Sequence, residues 1–250
     1  MLKSVWFERI LVVLLWVVYL FSRFGGLEET VVTSEFFQNA PAFVPAEWFV
    51  WLIINVLLVS FTWIVIRMGM VQKGQRDLYK VFIRPFYIQA LFFTIVWIIA
   101  WMIGSDLVYF LVAVFLTNTV LNMVRLISGK AQLRNQTWLK FPIGLAMGIV
   151  QTLLLMSLAI FTNVRVSATI EVWFTIALVI ALIASVTFTY VKYGNELVML
   201  PAVVYFAGML VRWLNVDNIL ALVAGIALVI TIGLYIRVFY FQRKQLKEEK

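Results

Sequence analysis

The sequence predicts an all-α fold, a polytopic integral membrane bundle that forms one transmembrane domain over residues 1–250. Of the 250 residues, 64% are hydrophobic and 13% are charged, and the mean hydropathy is +1.01. Ordinary soluble domains have about half apolar and about a quarter charged residues, and a soluble globule needs a polar surface. Apolar segments of the length that crosses a bilayer, about 17–25 residues, also recur between the charged residues. The composition therefore excludes a water-soluble enzyme.

Eight apolar segments are predicted to be transmembrane helices. They cover residues 5–22, 48–66, 85–105, 107–124, 141–164, 172–191, 197–213 and 218–236. Most of them are apolar on every side, which is typical of helices that lie in lipid rather than on a water-exposed surface. We expect the first to remain as a helix, because no small-residue cleavage motif of a signal peptide follows it.

The predicted helices differ at their ends. Glu8 and Arg9 lie one turn inside the first segment, near the membrane interface. Pro85 and Pro142 are predicted to open the third and fifth helices, where the missing N–H group costs little. Pro201 lies about one turn into the short seventh segment, and we expect a kink there.

The basic residues predict the orientation of the helices. With a cytoplasmic amino terminus, 17 of the 20 Lys and Arg residues fall on the cytoplasmic side, namely Lys3, Arg9, Arg67, Lys73, Arg76, Lys80, Arg84, Arg125, Lys130, Arg134, Lys140, Lys192, Arg237, Arg243, Lys244, Lys247 and Lys250. Only Arg23, Arg165 and Arg212 fall outside. This asymmetry predicts eight spans with both termini cytoplasmic, in a bacterial cytoplasmic membrane. The net charge of +8 then faces anionic lipid, so we expect the bilayer and not a nucleic acid as its partner.

The residue types limit the chemistry that the chain can perform. It has no Cys and no His, which removes disulfides, thiol nucleophiles, most transition-metal sites and the commonest general base. The predicted spans hold no ionisable residue between their flanking charges, apart from Glu8 and Arg9. Such residues usually mark proton relays and ion paths. The leading expectation is therefore a protein without enzyme activity, cofactor or metal site.

The neutral polar residues within the spans leave two interpretations open. Asn55, Gln151 and several residues of 117–122 are of this kind. One interpretation is hydrogen bonding between helices, with Gly144 and Gly148 one turn apart and small enough for close packing. The other is a pocket for a hydrophobic ligand, lined by aromatic side chains and a few uncharged polar groups.

The tryptophans support both interpretations. Most of them lie near predicted span ends, where the aromatic belt of a membrane interface explains them. Trp16, Trp63 and Trp97 lie deeper and have no such explanation. The long connection 23–47 also carries aromatic residues and leads into Trp48, so we expect it to cover a hydrophobic cavity in the outer half of the bundle.

Three sequence windows resemble the tryptophan-rich sensory protein family, also called the TspO or translocator-protein family, in its longer bacterial form. Residues 43–55, Phe-Val-Pro-Ala-Glu-Trp-Phe-Val-Trp-Leu-Ile-Ile-Asn, are similar to its loop-to-helix motif, with Asn55 where tyrosine is usual. Residues 140–148, Lys-Phe-Pro-Ile-Gly-Leu-Ala-Met-Gly, are similar to its Pro-Phe-Ser-x-Tyr-Leu-Gly-Trp motif, with Ile149 in place of the tryptophan. Residues 204–209, followed by Arg212, resemble its late Trp-Ala-x-x-Gly-Ile stretch.

The resemblance implies a helical bundle that binds porphyrins and other tetrapyrroles, sterol-like or isoprenoid-like molecules. It also implies a role in sensing or transport rather than catalysis. The ligand-binding candidates on this basis are Phe43, Trp48, Trp51 and Asn55 along one wall, with Gln151 as a further candidate. The candidates for close helix packing are Pro142, Gly144 and Gly148.

Two other functions remain open. The chain also fits a non-catalytic subunit or docking partner of a larger membrane complex, or a homo-oligomer, whose neutral polar residues would face partner helices. It further fits a membrane enzyme or lipid transporter that acts at the outer face through Glu28, Glu29, Glu35 or Asp106.

Overall fold

A computed structural model gives the structure of residues 6–24, 40–162 and 168–248. These residues form helices and short connections, without a β-strand. The predictions made for Lys3, Glu28, Glu29, Glu35, Arg165 and Lys250 lie outside the described residues, as does most of the connection 23–47.

The helices are numbered here in chain order. They are α1 (Trp6–Phe24), α2 (Glu47–Met68), α3 (Lys73–Leu78, continued through a π-helical turn Tyr79–Ile83 into Arg84–Met102), α4 (Asp106–Gly129), α5 (Ala131–Arg134), α6 (Thr137–Thr162), α7 (Ala168–Tyr193), α8 (Leu200–Trp213, preceded by a 3₁₀ turn Glu196–Met199) and α9 (Asn218–Glu248).

The predicted all-α fold is confirmed, and seven helices of the described residues are long and apolar enough to cross a membrane. They are α2, α3, α4, α6, α7, α8 together with its 3₁₀ turn, and α9 over Asn218–Arg237. α1 is not among them. Its 19 residues include three charged ones, Glu8, Arg9 and Arg23.

Of the two prolines predicted to open a helix, Pro85 stands in the first turn of the segment Arg84–Met102 of α3, whereas Pro142 does not open its helix. Pro142 lies inside α6, which begins at Thr137. Its ring removes only the hydrogen bond to the carbonyl of Trp138, near the start of the helix, so the helix tolerates it. Pro201 stands in the first turn of α8 and not one turn inside it, because a 3₁₀ turn precedes the helix. The irregularity that was predicted as a kink at Pro201 is therefore the junction between the 3₁₀ turn and α8.

α6 is the central helix of the bundle. Within its most apolar 18-residue stretch, 78% is buried, the highest share among the seven candidate spans. It packs against α2, α4, α7, α8 and the 3₁₀ turn before α8. A helix that is apolar on all sides is expected to be buried among other helices in this way.

Two glycines bring α6 close to the segment that precedes α8. A β-carbon at Gly144 would collide with the side chain of Asn195, whose Nδ2 donates a hydrogen bond to the Lys140 carbonyl at 2.9 Å. A β-carbon at Gly148 would collide with the backbone carbonyl of Val198 and come within 3.0 Å of the Pro201 ring. The close approach therefore depends on the absence of side chains at both positions.

α1 packs against α2 and α3 through polar contacts as well as apolar ones. The Glu8 side chain, 1% exposed, accepts a hydrogen bond from Arg84 Nε at 2.5 Å. Trp16 Nε1 donates to Thr62 Oγ1 at 2.9 Å. These contacts fix α1 along its length to the rest of the bundle.

The bundle has two ends, named here by the residues near the two ends of α2. At the Arg67 end, Arg67 and Thr137 face one cavity. At the Glu47 end, the Tyr205 hydroxyl donates to the Phe43 carbonyl at 2.7 Å.

Gly148→Ala is expected to destabilise the protein by about 1–3 kcal/mol, because the added methyl group meets a backbone carbonyl that cannot turn away. Gly233→Ala is the matched control, since no atom lies within 4 Å of the position of its β-carbon. It should be neutral or stabilising by up to about 1 kcal/mol. Thermal unfolding in detergent measures both, and equal midpoints would contradict the packing described here.

Candidate functional site

A groove of about 600 Å³ lies between α2 and α6, toward the Arg67 end. We call it the α2–α6 groove. Its walls are apolar and aromatic with a few polar groups, and they consist of Asn55, Val56, Val59, Ser60, Trp63, Arg67, Thr137, Trp138, Phe141, Pro142 and Leu145. Small-molecule sites have this composition and a volume of roughly 300–1,000 Å³.

The groove is long and opens sideways. The α2 residues that line it run from Asn55 to Arg67, a distance of about 18 Å along the helix axis at 1.5 Å per residue. This is close to half of the roughly 30 Å hydrocarbon thickness of a bilayer. Val59, Trp63 and Phe141 line it and are also exposed on the outer surface of the bundle. A ligand could therefore enter from the lipid side without a path through water.

The polar groups at the Asn55 side of the groove already have partners. Asn55 Nδ2 donates to the Tyr19 hydroxyl at 2.7 Å and to the Trp51 carbonyl at 2.8 Å. Ser60 Oγ donates to the Val56 carbonyl at 2.7 Å. This part of the groove therefore presents a mostly apolar surface.

The Arg67 side differs, because its nitrogen donors are not satisfied. Arg67 Nε and Trp138 Nε1 are buried, and neither has a hydrogen-bond partner within the described residues. The Arg67 guanidinium carbon lies 4.7 Å from the centre of the Trp63 ring, a cation–π contact that orients the charge. Buried polar groups are nearly always hydrogen-bonded in folded proteins, so two such donors beside one cavity are available to an acceptor that enters it.

The sequence-predicted site residues do not converge on one pocket. Asn55 lines the α2–α6 groove together with Pro142, which was predicted only for packing. Trp48 is exposed, and its ring lies 3.6 Å from that of Phe49.

Trp51 belongs to an aromatic cluster near the Glu47 end. Its ring stacks on Trp101 at 5.5 Å and meets Tyr19 edge-on at 6.1 Å. Trp97, one of the deep tryptophans, is fully buried and lies 5.5 Å from Trp101. The cavity beside this cluster holds only about 10 Å³, which is about the space for one water molecule.

Phe43 lies in a loop, residues 40–46, that is bound to α8. Its ring is buried 5.2 Å from Tyr205. Arg212 donates hydrogen bonds of 2.6–3.1 Å to the carbonyls of Ala40, Pro41 and Val44. These contacts bind the loop to α8 at the Glu47 end of the bundle.

Gln151 lies in a second cavity of about 340 Å³, between α4, α6 and α7. Its Nε2 donates to Thr189 Oγ1 at 2.9 Å and to the Ser185 carbonyl at 3.2 Å. Its Oε1 is buried without a partner in the described residues. Gln151 thus joins two helices and stands apart from the other predicted site residues.

The sequence reasoning missed Arg67, Trp138 and Phe141 as site residues. Arg67 was counted only as a charge that sets orientation, and Trp138 only as part of an aromatic belt. One signal was available, since Trp63 lies deep in its span and one turn before Arg67. The large groove lies toward the Arg67 end, which the sequence predicts to be cytoplasmic, whereas the sequence predicted a cavity in the outer half.

The lining of the α2–α6 groove is mostly apolar. No carboxylate lines the groove, and within the described residues no group of three or more His, Cys, Asp or Glu residues could hold a metal ion.

Comparison with family models, with curated proteins and with solved structures finds no match to this chain.

Proposed function

We propose that the chain is a TspO-like membrane protein that binds a hydrophobic small molecule in the α2–α6 groove, for sensing or transport. The observation that carries the proposal is the groove itself, a cavity of about 600 Å³ with an apolar lining and a lateral opening. Such a cavity suits porphyrin-, sterol- or isoprenoid-like molecules that reach it through the bilayer.

The positions of the three windows that resemble the TspO family support this proposal. Asn55 of the first window and Pro142 of the second line the same groove. The first and third windows pack together, since Tyr205 donates to the Phe43 carbonyl and the Gly208 carbonyl accepts from the Ala46 N–H at 3.2 Å. The windows are thus neighbours in space although they are far apart in the sequence.

Eight membrane spans, with α1 as the first, are part of the proposal. The side of α1 that faces away from the bundle is apolar, with exposed Ile10, Val13, Leu14, Val17, Leu20 and Phe21. Such a surface favours lipid over water. Both termini are then cytoplasmic, since 17 of the 20 basic residues lie on one side, as the positive-inside rule requires of a bacterial cytoplasmic membrane.

Single cysteines in this cysteine-free chain test the orientation. In right-side-out vesicles, Lys73→Cys and Lys130→Cys should not react with a membrane-impermeant thiol reagent. Asn215→Cys should react with it. The physical reason is that cation-rich segments stay on the cytoplasmic side. Labelling of only one of the cysteines at positions 73 and 130 would contradict the eight-span arrangement.

A substitution that fills the groove tests the binding site. Val59→Phe places a ring in the groove, and we expect it to weaken binding of a porphyrin, a sterol or dibrominated stearyl alcohol by about tenfold or more. Binding of the porphyrin and of the brominated alcohol is measured in detergent by quenching of the intrinsic tryptophan fluorescence, and binding of the sterol by its displacement of the brominated alcohol.

Val17→Phe is the matched control, because Val17 is as exposed as Val59 (55% and 56%) but lies on α1, away from the groove. It should bind each probe like the unmodified protein. If none of the three probes distinguishes the two variants, the groove is not the binding site.

A second candidate function is that of a subunit in a larger membrane assembly, and two exposed amides favour it. Gln89 on α3 and Asn118 on α4 are exposed, and neither has a hydrogen-bond partner in the described residues. They lie at the same depth, because Phe93 and Phe115, each about one turn away, stack at 5.8 Å. An amide in hydrocarbon without a partner costs roughly 2–7 kcal/mol, so a polar partner helix would stabilise this face.

The double variant Gln89→Leu/Asn118→Leu should dissociate such an assembly, since each interhelical amide bond contributes about 1–2 kcal/mol. Asn135→Leu, an exposed amide outside the apolar spans, is the control. Native mass spectrometry from mild detergent measures the change. An unmodified protein that is already a 28.9 kDa monomer would count against this function.

A further inference from the structure

The buried polar groups of the α2–α6 groove that have no partner in the described residues lie at its Arg67 end, and both are donors. The free groups at the Arg67 end are the Nε–H of Arg67 and the Nε1–H of Trp138. An arginine side chain and an indole have no acceptor atom. The chemistry of this end is therefore complementary to an acceptor, and its positive charge favours an anionic one.

The described residues supply no carboxylate partner for Arg67. None of the groove-lining residues is acidic. Asp77, the next acidic residue in the sequence, forms an ion pair with Lys80 at 3.9 Å. Glu8, on the neighbouring helix α1, forms one with Arg84. Arg67 has no ion pair within the described residues.

Trp63 holds the charge at the groove and does not neutralise it. The guanidinium carbon lies 4.7 Å from the ring centre, which restricts the side chain while its donors stay available for in-plane hydrogen bonds. A carboxylate or phosphate accepts such bonds in the geometry that a guanidinium offers, and these charge-assisted bonds are the strong ones.

We propose that the groove takes a single-chain amphiphile with an acidic head group, a long-chain carboxylate or phosphate. The head lies on Arg67 and Trp138, and the chain runs along α2 toward Asn55. The length of the groove, about 18 Å, matches the reach of a chain that stays within the half of the bilayer on the Arg67 side. This inference rests on the proposed function and specifies the ligand class for the same site.

Two probes that differ only in the head group test the inference. Dibrominated stearic acid and dibrominated stearyl alcohol share one chain, and their bromine atoms quench the tryptophans of the groove. We expect the acid to bind about tenfold tighter or more, because a charge-assisted pair replaces a neutral one. A lysophosphatidic acid distinguishes a phosphate head from a carboxylate head by competition with the brominated acid.

Arg67→Gln should remove most of the advantage of the acid, so that the ratio of the two dissociation constants falls toward one. Arg67→Lys should keep part of it, since the charge remains without the planar donor pair. Arg134→Gln, an exposed arginine outside the groove, is the matched control and should change neither probe. Sodium acetate and inorganic phosphate, which carry the charge without a chain, should not compete with the acid below the concentrations at which salt screens charge.

The outcomes separate the inference from the proposed function. If acid and alcohol bind equally and Val59→Phe weakens both, the groove binds hydrophobic molecules but the acidic head group is wrong. If Val59→Phe changes neither probe, the proposed function fails as well. If acetate or phosphate alone competes at low concentration, Arg67 binds a free anion and the chain has no part in it.

Discussion

The close approach between α6 and the segment 195–201 is the contact on which the rest of the bundle depends. Gly144 and Gly148 permit it, because any side chain there would meet Asn195, Val198 or Pro201. Pro142 lines the groove on a different side of α6, about 200° and 240° around the helix from the two glycines at 100° per residue. One side of the central helix is therefore packed against the chain that leads into α8, and the other side is left open toward α2. A change that pushes α6 away from α8 would also alter the groove.

A second constraint decides which polar residues are free to act. In hydrocarbon every hydrogen-bonding group needs a partner within the protein. Most buried hydroxyls find one in their own helix, since Thr94, Thr152, Ser157 and Thr231 each donate to the carbonyl four residues earlier at 2.7–2.8 Å. The spans therefore look more polar in the sequence than they are in the structure. Among the buried groups without a partner in the described residues are Arg67 Nε and Trp138 Nε1, which belong to residues of one groove.

Predictions from the sequence were strongest for the helices, because a run of apolar residues with the length of a bilayer is a local property. The ends were less predictable. Pro142 lies inside α6, since a proline near the start of a helix loses only one hydrogen bond, and the 3₁₀ turn before α8 depends on packing against α6. The candidate site was harder still, because the groove is formed by α2 and α6, which contact each other across about 80 residues of sequence. Asn55 lies at this groove, but Trp51 packs on Trp101 and Gln151 on Thr189, contacts that the spacing of residues in single helices does not reveal.

The arginines near the helix ends show why a charge that orients a membrane protein can also define a site. Arg84 pairs with the buried carboxylate of Glu8, and Arg212 donates hydrogen bonds to backbone carbonyls of the loop 40–46. Their donors are used within the fold, so they stabilise it and recognise nothing further. Arg67 also lies near the end of its helix, but its Nε is buried beside a cavity without a partner in the described residues. In the sequence all three are arginines near the ends of apolar segments, with Arg67 and Arg84 predicted on the cytoplasmic side and Arg212 outside. Only the packing separates them further, because it supplies acceptors to Arg84 and Arg212 and places Arg67 beside an open groove.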